Sequence, residues 1–290
     1  MSRGPATLVG FVAILLWALL AAFTAASGAV PPFQLMAMSF AIGGLAGAAS
    51  WAWRPHGIAA LRHGWPVWAV GVGGLFGFHF LYFSALRAAP AIEASLIAYL
   101  WPLLIVLLSA LAPGERLRAH HVIGALMGLA GAALIVTGGR GLAIDPAYLD
   151  GYALALVAAF FWSSYSVLSR RFHAVPSDIV TGFCLVTAGL ALVAHLGLEA
   201  TVWPQGATQW LAVLGLGIGP VGLAFFVWDT GVKHGDIQVL GAASYCAPLL
   251  STLVLIALGL GAFTWAIGLA CVLITGGAVI AARDMIFRKR

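Results

Sequence analysis

The sequence predicts an all-α integral membrane protein of ten transmembrane helices, and three observations carry that expectation. Of 290 residues, 62% are hydrophobic and 8% are charged, against roughly 25% charged in an ordinary soluble domain. So few polar side chains cannot cover a water-exposed surface. The charges are also spaced, leaving uncharged runs at 4–53, 63–86, 94–114, 119–139, 151–169, 179–198, 200–228 and 237–282. Finally, the runs are continuously apolar, where an outer-membrane barrel would alternate apolar and polar positions in segments of about ten residues. Disorder is excluded by the high hydrophobicity. Nucleic acid is excluded as a partner because 14 scattered Lys and Arg build no basic groove.

A membrane helix needs about 20 apolar residues, so each of the six shorter runs holds one span and the two long ones hold two. The first long run breaks at Ser27-Gly28-Ala29-Val30-Pro31-Pro32, where Gly and Pro end one helix and start the next. The last breaks near Gly259-Leu260-Gly261. Met1-Ser2-Arg3 followed by an apolar stretch and Ala25-Ala26-Ser27 has the look of a signal peptide. Its apolar stretch exceeds the 7 to 15 residues of a typical signal core, so it reads as a retained first helix.

An even number of spans puts both termini on one side. With the termini cytoplasmic, Arg3, Arg54, Arg62, Arg116, Arg118, Arg170, Arg171, Lys233, Arg283, Arg288, Lys289 and Arg290 lie inside and only Arg87 and Arg140 outside. The positive-inside rule therefore predicts cytoplasmic termini, with the loops at 27–32 and 139–150 outside. Cys184, Cys246 and Cys271 fall within spans and lack any disulfide or metal spacing, so they read as packing residues.

The chain also repeats. A shift of 146 residues lays Tyr99-Leu100-Trp101-Pro102-Leu103-Leu104 on Tyr245-Cys246-Ala247-Pro248-Leu249-Leu250, Arg87 on Lys233, and Gly71 and Gly73 on Gly217 and Gly219. A shift of 145 lays Trp17 on Trp162 and Gly131 on Gly276. Two five-helix repeats result, at 1–140 and 148–290. Five is odd, so the second repeat enters the membrane from the opposite side. Such inverted repeats are associated with alternating access around a midplane site.

Several residues could carry transport. Pro102 and Pro248 remove an N–H and displace the carbonyl four residues earlier, which frees the carbonyls of Ala98 and Ser244 for a substrate ammonium. The competing reading is a plain kink. Tyr99, Trp101 and Tyr245 stand on the same broken helices; Tyr99 and Trp101 face one cavity only if the helix is locally distorted. His79 is the ionisable group deep in the third span and shares a helical face with Phe76 and Tyr82. Trp17 and Trp162 lie mid-span, away from the interfacial belt, where an indole can stack on an aromatic ligand and offer one N–H. Asp229 with Lys233, Glu93 within reach of Arg87, and Glu115 beside Arg116 and Arg118 read as structural. The small-residue pairs Gly43-Gly47, Gly124-Gly128 and Gly268 with Gly276 read as internal helix packing, and the protein as a monomer.

Ala85-Leu86-Arg87, Ile92-Glu93-Ala94-Ser95-Leu96, Pro102, Gly114-Glu115-Arg116-Leu117 and Gly124 through Gly131 together resemble the EamA domain, which occurs twice in the drug/metabolite transporter superfamily. The second half departs from the pattern, with Leu258-Gly259-Leu260-Gly261 where Gly-Glu-Arg-Leu would recur. Within the superfamily the chain is most similar to YddG-type exporters. That resemblance implies secondary export of aromatic amino acids (Trp, Phe, Tyr and neighbouring neutral amino acids) across the bacterial inner membrane. Export of another small metabolite or of an aromatic or cationic drug is the rival within transport, although a cation pocket calls for a central acid. An intramembrane enzyme is the rival outside it: His120 and His121 are adjacent and lack HExxH spacing, and neither a Gly-x-Ser-x-Gly elbow nor a P-loop occurs. No metal, cofactor or catalytic residue is expected.

Overall fold

Within an apolar solvent a backbone must satisfy its own N–H and C=O groups, which only helices and closed barrels achieve. The computed structural model describes residues 1–54, 56–111, 115–141 and 144–286. Gly114 of the Gly-Glu-Arg-Leu motif, part of the 139–150 loop, and Arg288, Lys289 and Arg290 lie outside the described residues. Among the described residues there are helices and no strands. Nine helices among the described residues are long and apolar enough to cross a membrane. They are α1 (Arg3–Ala26), α2 (Pro32–Ser50), α3 (Trp65–Ala88), α4 (Ala91–Leu111), α5 (Ala119–Thr137), α6 (Pro146–Phe172), α7 (Ser177–Leu198), α8 (Gly206–His234) and α9 (Ile237–Ala257). A shorter apolar helix, α10 (Trp265–Ala281), follows. The breaks anticipated at 27–32 and near 259–261 separate α1 from α2 and α9 from α10. Leu8, Leu45, Val193, Leu196, Leu211 and Val272 present apolar side chains outward, while Trp53, Trp65, Trp203 and Trp265 are exposed near helix ends, where indoles suit a headgroup layer. The chain is a multi-pass membrane protein.

The helices pair in a pattern that survives exchange of the two halves. α5 packs on α10 and α2 on α7; α3 packs on α6 as α8 packs on α1. Gly124 explains one of these contacts, because a Cβ there would collide with the backbone of Gly277. Gly43 and Gly47 also face inward, against α8 and α7, as small-residue packing requires.

Irregularities recur at matching places. α3 widens to a π turn at Gly73–Gly77 and α8 to one at Gly217–Leu223, where Pro220 has no N–H to give. α4 is interrupted between segments Ala91–Ala98 and Trp101–Leu108, and α9 between Ile237–Ala243 and Cys246–Ala257. In each the proline falls in the first turn of the second segment, where a missing N–H costs nothing. α1 is broken at Ala18–Leu19, whereas its mate α6 runs unbroken from Leu149 to Leu168.

Polar contacts gather at two ends. At one, Glu115 pairs with Arg3 and Arg170, Arg54 with Asp178, and Arg118 with Asp284. At the other, Arg87 bonds Glu199, which also accepts from the Phe33 and Gln34 N–H groups at the start of α2 (both 3.0 Å). This corrects one expectation: Arg87 reaches Glu199 rather than Glu93, since the end of α7 lies across from α3. Asp229 and Lys233 do pair, at 2.7 Å, near the end of α8 and buried.

Candidate substrate-binding site

A cavity of about 240 Å³ opens between α1, α3, α4, α6, α8 and α9, just under the ~300 Å³ lower end for small-ligand pockets. That size suits one small molecule. Its lining runs from mid-helix toward the end that carries Arg87 and Glu199.

The floor is aromatic. Trp17, Trp101 and Trp162 line the cavity and, with the fully buried Trp228 behind them, form a cluster in which every pair of ring centroids lies 5.0 to 6.2 Å apart. Their edge-on and tilted contacts, with Trp162 stacked on Trp228, are those that ring quadrupoles favour. Phe225 closes one side, 5.6 Å from Trp162 and stacked on Phe40 at 5.5 Å. The cluster forms because breaks in the helices turn successive residues inward: Trp17 ends the first segment of α1, and Trp101 begins the second segment of α4. The interruption at Tyr99–Leu100 is the local distortion that lets both Tyr99 and Trp101 line the cavity.

Two of the four indole N–H groups are committed. Trp17 donates to the Pro220 carbonyl in the π turn at 3.1 Å, and Trp228 donates to Ser166 Oγ at 3.1 Å. The Trp17 N–H expected to face a ligand is therefore spent on the protein. Trp101 and Trp162 have no N–H acceptor among the described residues, leaving both indoles available to a bound molecule.

His79 Nδ1 lies 2.7 Å from the Leu75 carbonyl. A carbonyl only accepts, so Nδ1 carries a proton; in the neutral ring Nε2 is then an acceptor. Beside it, Tyr82 OH and Ser95 Oγ share a hydrogen bond at 3.0 Å. Phe76 does not join His79 on the cavity wall. The π turn shifts the helical register, so Phe78, His79, Tyr82 and Phe83 face inward while Phe76 stacks on Phe80 at 5.4 Å.

The proline-broken helices divide. Ala98, Tyr99, Trp101 and Pro248 line the cavity, whereas Pro102, Ser244 and Tyr245 do not. Ser244 is fully buried with its hydroxyl donating to the Leu240 carbonyl. Its own carbonyl is not freed by Pro248, because the tightened turn lets Ala247 N–H donate to it at 3.0 Å. Tyr245 OH donates to the Tyr99 carbonyl at 3.0 Å, joining two residues related by the repeat shift of 146.

Phe225, Trp228, Pro220 and Ser251 were not singled out from sequence. For two of them the signal was present: the 146-residue shift lays His79 on Phe225 and Tyr82 on Trp228. Among the described residues no acid lines the cavity and no His/Cys/Asp/Glu cluster could hold a metal ion.

The EamA-like transporter family model matches residues 4–137 and again 149–283. The chain belongs to the EamA-like transporter family. Among EamA-like relatives, the aromatic amino acid exporter YddG of Ancylobacter novellus is 56% identical over 284 residues, covering 97% of this chain and 98% of that one. The exporter of the same name from Escherichia coli is 24% identical, with 97% of each chain covered. A crystal structure 54% identical in sequence superposes with a TM-score of 0.93 over the full length of both chains. The two family matches fall on the two halves whose helix pairing and irregularities mirror each other.

Proposed function

We propose that the protein is a secondary exporter of aromatic amino acids, tryptophan, phenylalanine and tyrosine first, working by alternating access in the cell inner membrane. The observation that carries this reading is the floor of Trp17, Trp101 and Trp162, backed by the buried Trp228, with the indole N–H groups of Trp101 and Trp162 unpaired among the described residues and the His79 ring at its edge. An aromatic side chain entering there gains stacking contacts, each about 0.5–1.5 kcal/mol beyond area burial. The substrate's backbone charges meet Tyr82, Ser95, Tyr99, Ser251 and backbone dipoles nearer the mouth. A cavity without an acid favours a zwitterion over a cation. The site residues are Trp17, His79, Tyr82, Ala98, Tyr99, Trp101, Trp162 and Pro248, joined by Phe225 and Ser251; Ser244, Tyr245 and Pro102 support them from behind. The protein acts as a monomer, without cofactor.

The topology in this proposal is ten spans with both termini cytoplasmic. Its support is alternation along the chain: Arg3, Glu115, Arg170 and Asp236 share one set of polar contacts, Phe33, Arg87 and Glu199 share another, and the pairs Arg54–Asp178, Arg118–Asp284 and Gly139–Trp265 are read as belonging to the first, first and second end respectively. Each passage between sets is one crossing, and α10 supplies the last. An odd five per repeat then inverts the second repeat, and the cavity opens outward. A cysteine at Ala29 should label with an impermeant reagent in intact cells, and one at Arg171 only after permeabilisation. The reverse result would overturn the orientation. For substrate, purified protein in liposomes should accelerate tryptophan efflux over protein-free liposomes, with excess phenylalanine competing. Flux of neither amino acid would remove the assignment.

A further inference from the structure

The end opposite the cavity mouth holds a hollow lined by Arg3, Glu115, Asp236 and Gln238 that shares no lining residue with the cavity, and the bonds between the two converge on one carboxylate. Glu115, in the connection between α4 and α5, is 2% exposed at its side chain. It accepts from Arg3 of α1 at 2.7 Å and from Arg170 at the end of α6. With its amide nitrogen facing the carboxylates, Gln238 of α9 donates to Glu115 at 3.0 Å. Arg3 also reaches Asp236 at 3.1 Å, and Arg170 donates to the carbonyls of Val232 and Gly235 at 2.7 and 3.0 Å, which ties in the end of α8. Four of the six helices that line the cavity (α1, α6, α8 and α9), with the connection that follows α4, thus meet at one side chain or its direct partners.

Other ion pairs lack this property. Asp229–Lys233 lies within one helix at i,i+4, so separating helices need not break it. Arg54–Asp178 joins the α2–α3 connection to α7, and neither lines the cavity. Arg118–Asp284 is half exposed and links α5 to the segment after α10. Just inside the Glu115 cluster, Leu240 is fully buried against Gly10 of α1 and Gly231 of α8, whose backbones approach too closely for a Cβ on either.

We infer that Glu115 is the latch of the cytoplasmic gate: its bonds to Arg3, Arg170 and Gln238 hold the path below the cavity shut and must break for the inward-open state to form. The inference rests on the alternating-access reading above. It also explains why the open side is the outer one. The repeat shift lays Glu115 on Gly261, so the opposite end has no matching carboxylate, and a bond present in one state only shifts the equilibrium toward that state.

The test uses the full-length protein with Cys184, Cys246 and Cys271 replaced and one cysteine at Leu240 (Leu240→Cys). Inside-out vesicles are treated with a membrane-impermeant maleimide. Glu115→Gln, which keeps shape and removes charge, should raise the labelling rate about tenfold or more, the population change expected from losing charged hydrogen bonds. Arg3→Gln, which removes one arm, should give a smaller rise, and Arg54→Gln should stay within about twofold of the parent. A flat response to both Glu115→Gln and Arg3→Gln would overturn the latch, as would an equal rise in Arg54→Gln, which would mean general loosening. No substrate enters the assay, so failed tryptophan flux beside a positive labelling result would count against the substrate alone.

Discussion

The two halves of the molecule match the same family model, yet the two ends fill the space between the cavity helices differently. At the closed end, glycines bring α1 and α8 together, Leu240 plugs the gap, and Glu115 collects two charged partners, Arg3 of α1 and Arg170 of α6, with Gln238 of α9 as a neutral third donor. At the open end, Glu199 is equally buried but its partners are Arg87 of α3, the start of α2 and His195 within α7. Of these only α3 lines the cavity, so Glu199 braces the wall without crossing the mouth. What separates a closed end from an open one is thus not the number of ion pairs but which helices they join.

The largest effect should come from the buried charges near the closed end. Lys233→Met leaves Asp229, 1% exposed, with Ser177 and a long contact to Tyr165 as its donors among the described residues. Stranding a buried charge costs about 3–5 kcal/mol, so the purified variant should lose thermal stability and express poorly. If Lys233→Met unfolds at the parent's temperature, burial at this end is less complete than described above.

Next come the cavity indoles. Trp101→Leu and Trp162→Leu each remove an aromatic partner and an unspent N–H, and tryptophan affinity should fall roughly 3- to 30-fold in each by titration calorimetry. Trp228→Phe serves as the sharpening control. Its N–H bonds Ser166 rather than facing a ligand, so affinity should drop less than in Trp101→Leu.

Arg87→Met at the open end should matter less than Lys233→Met. Arg87 is 42% exposed, and Glu199 keeps two backbone donors and His195. An exposed pair contributes about 0–1 kcal/mol, and the melting shift should be correspondingly small. A shift as large as that of Lys233→Met would erase the contrast between the ends.

Smallest is the effect of Pro248→Ala on binding. Because Ala247 N–H already donates to the Ser244 carbonyl, restoring an N–H at 248 withdraws no acceptor from the cavity. Tryptophan affinity should stay within about twofold, with any loss confined to transport rate. A tenfold affinity loss would show that the turn, and not the carbonyl, orients the substrate.

Much of this was legible beforehand because the bilayer imposes simple rules. Uncharged runs located the helices, and the Gly-Pro cluster at 27–32 located a break, since backbone polar groups admit few alternatives in hydrocarbon. His79, Tyr82, Trp17 and Trp162 stood out as polar or aromatic groups where apolar aliphatic ones were expected. Phe225 and Trp228 were harder to see, because an aromatic in an apolar run carries no contrast; only the repeat register marks them. Phe76 was misplaced because a face drawn at 3.6 residues per turn does not survive a π turn.

From sequence alone came the class of the fold, the repeat, and the helices that carry proline breaks, because each depends on composition or spacing along the chain. The tertiary structure alone decided that Trp17 spends its N–H on Pro220, that the Ser244 carbonyl is already occupied, and that Arg87 meets Glu199 rather than Glu93. It also gathered Arg3, Glu115, Arg170 and Gln238, separated by up to 235 positions between Arg3 and Gln238, around one carboxylate. Hydrogen bonds and ion pairs act over about 3 Å, and local spacing says nothing about which distant residues the packed helices bring within that range.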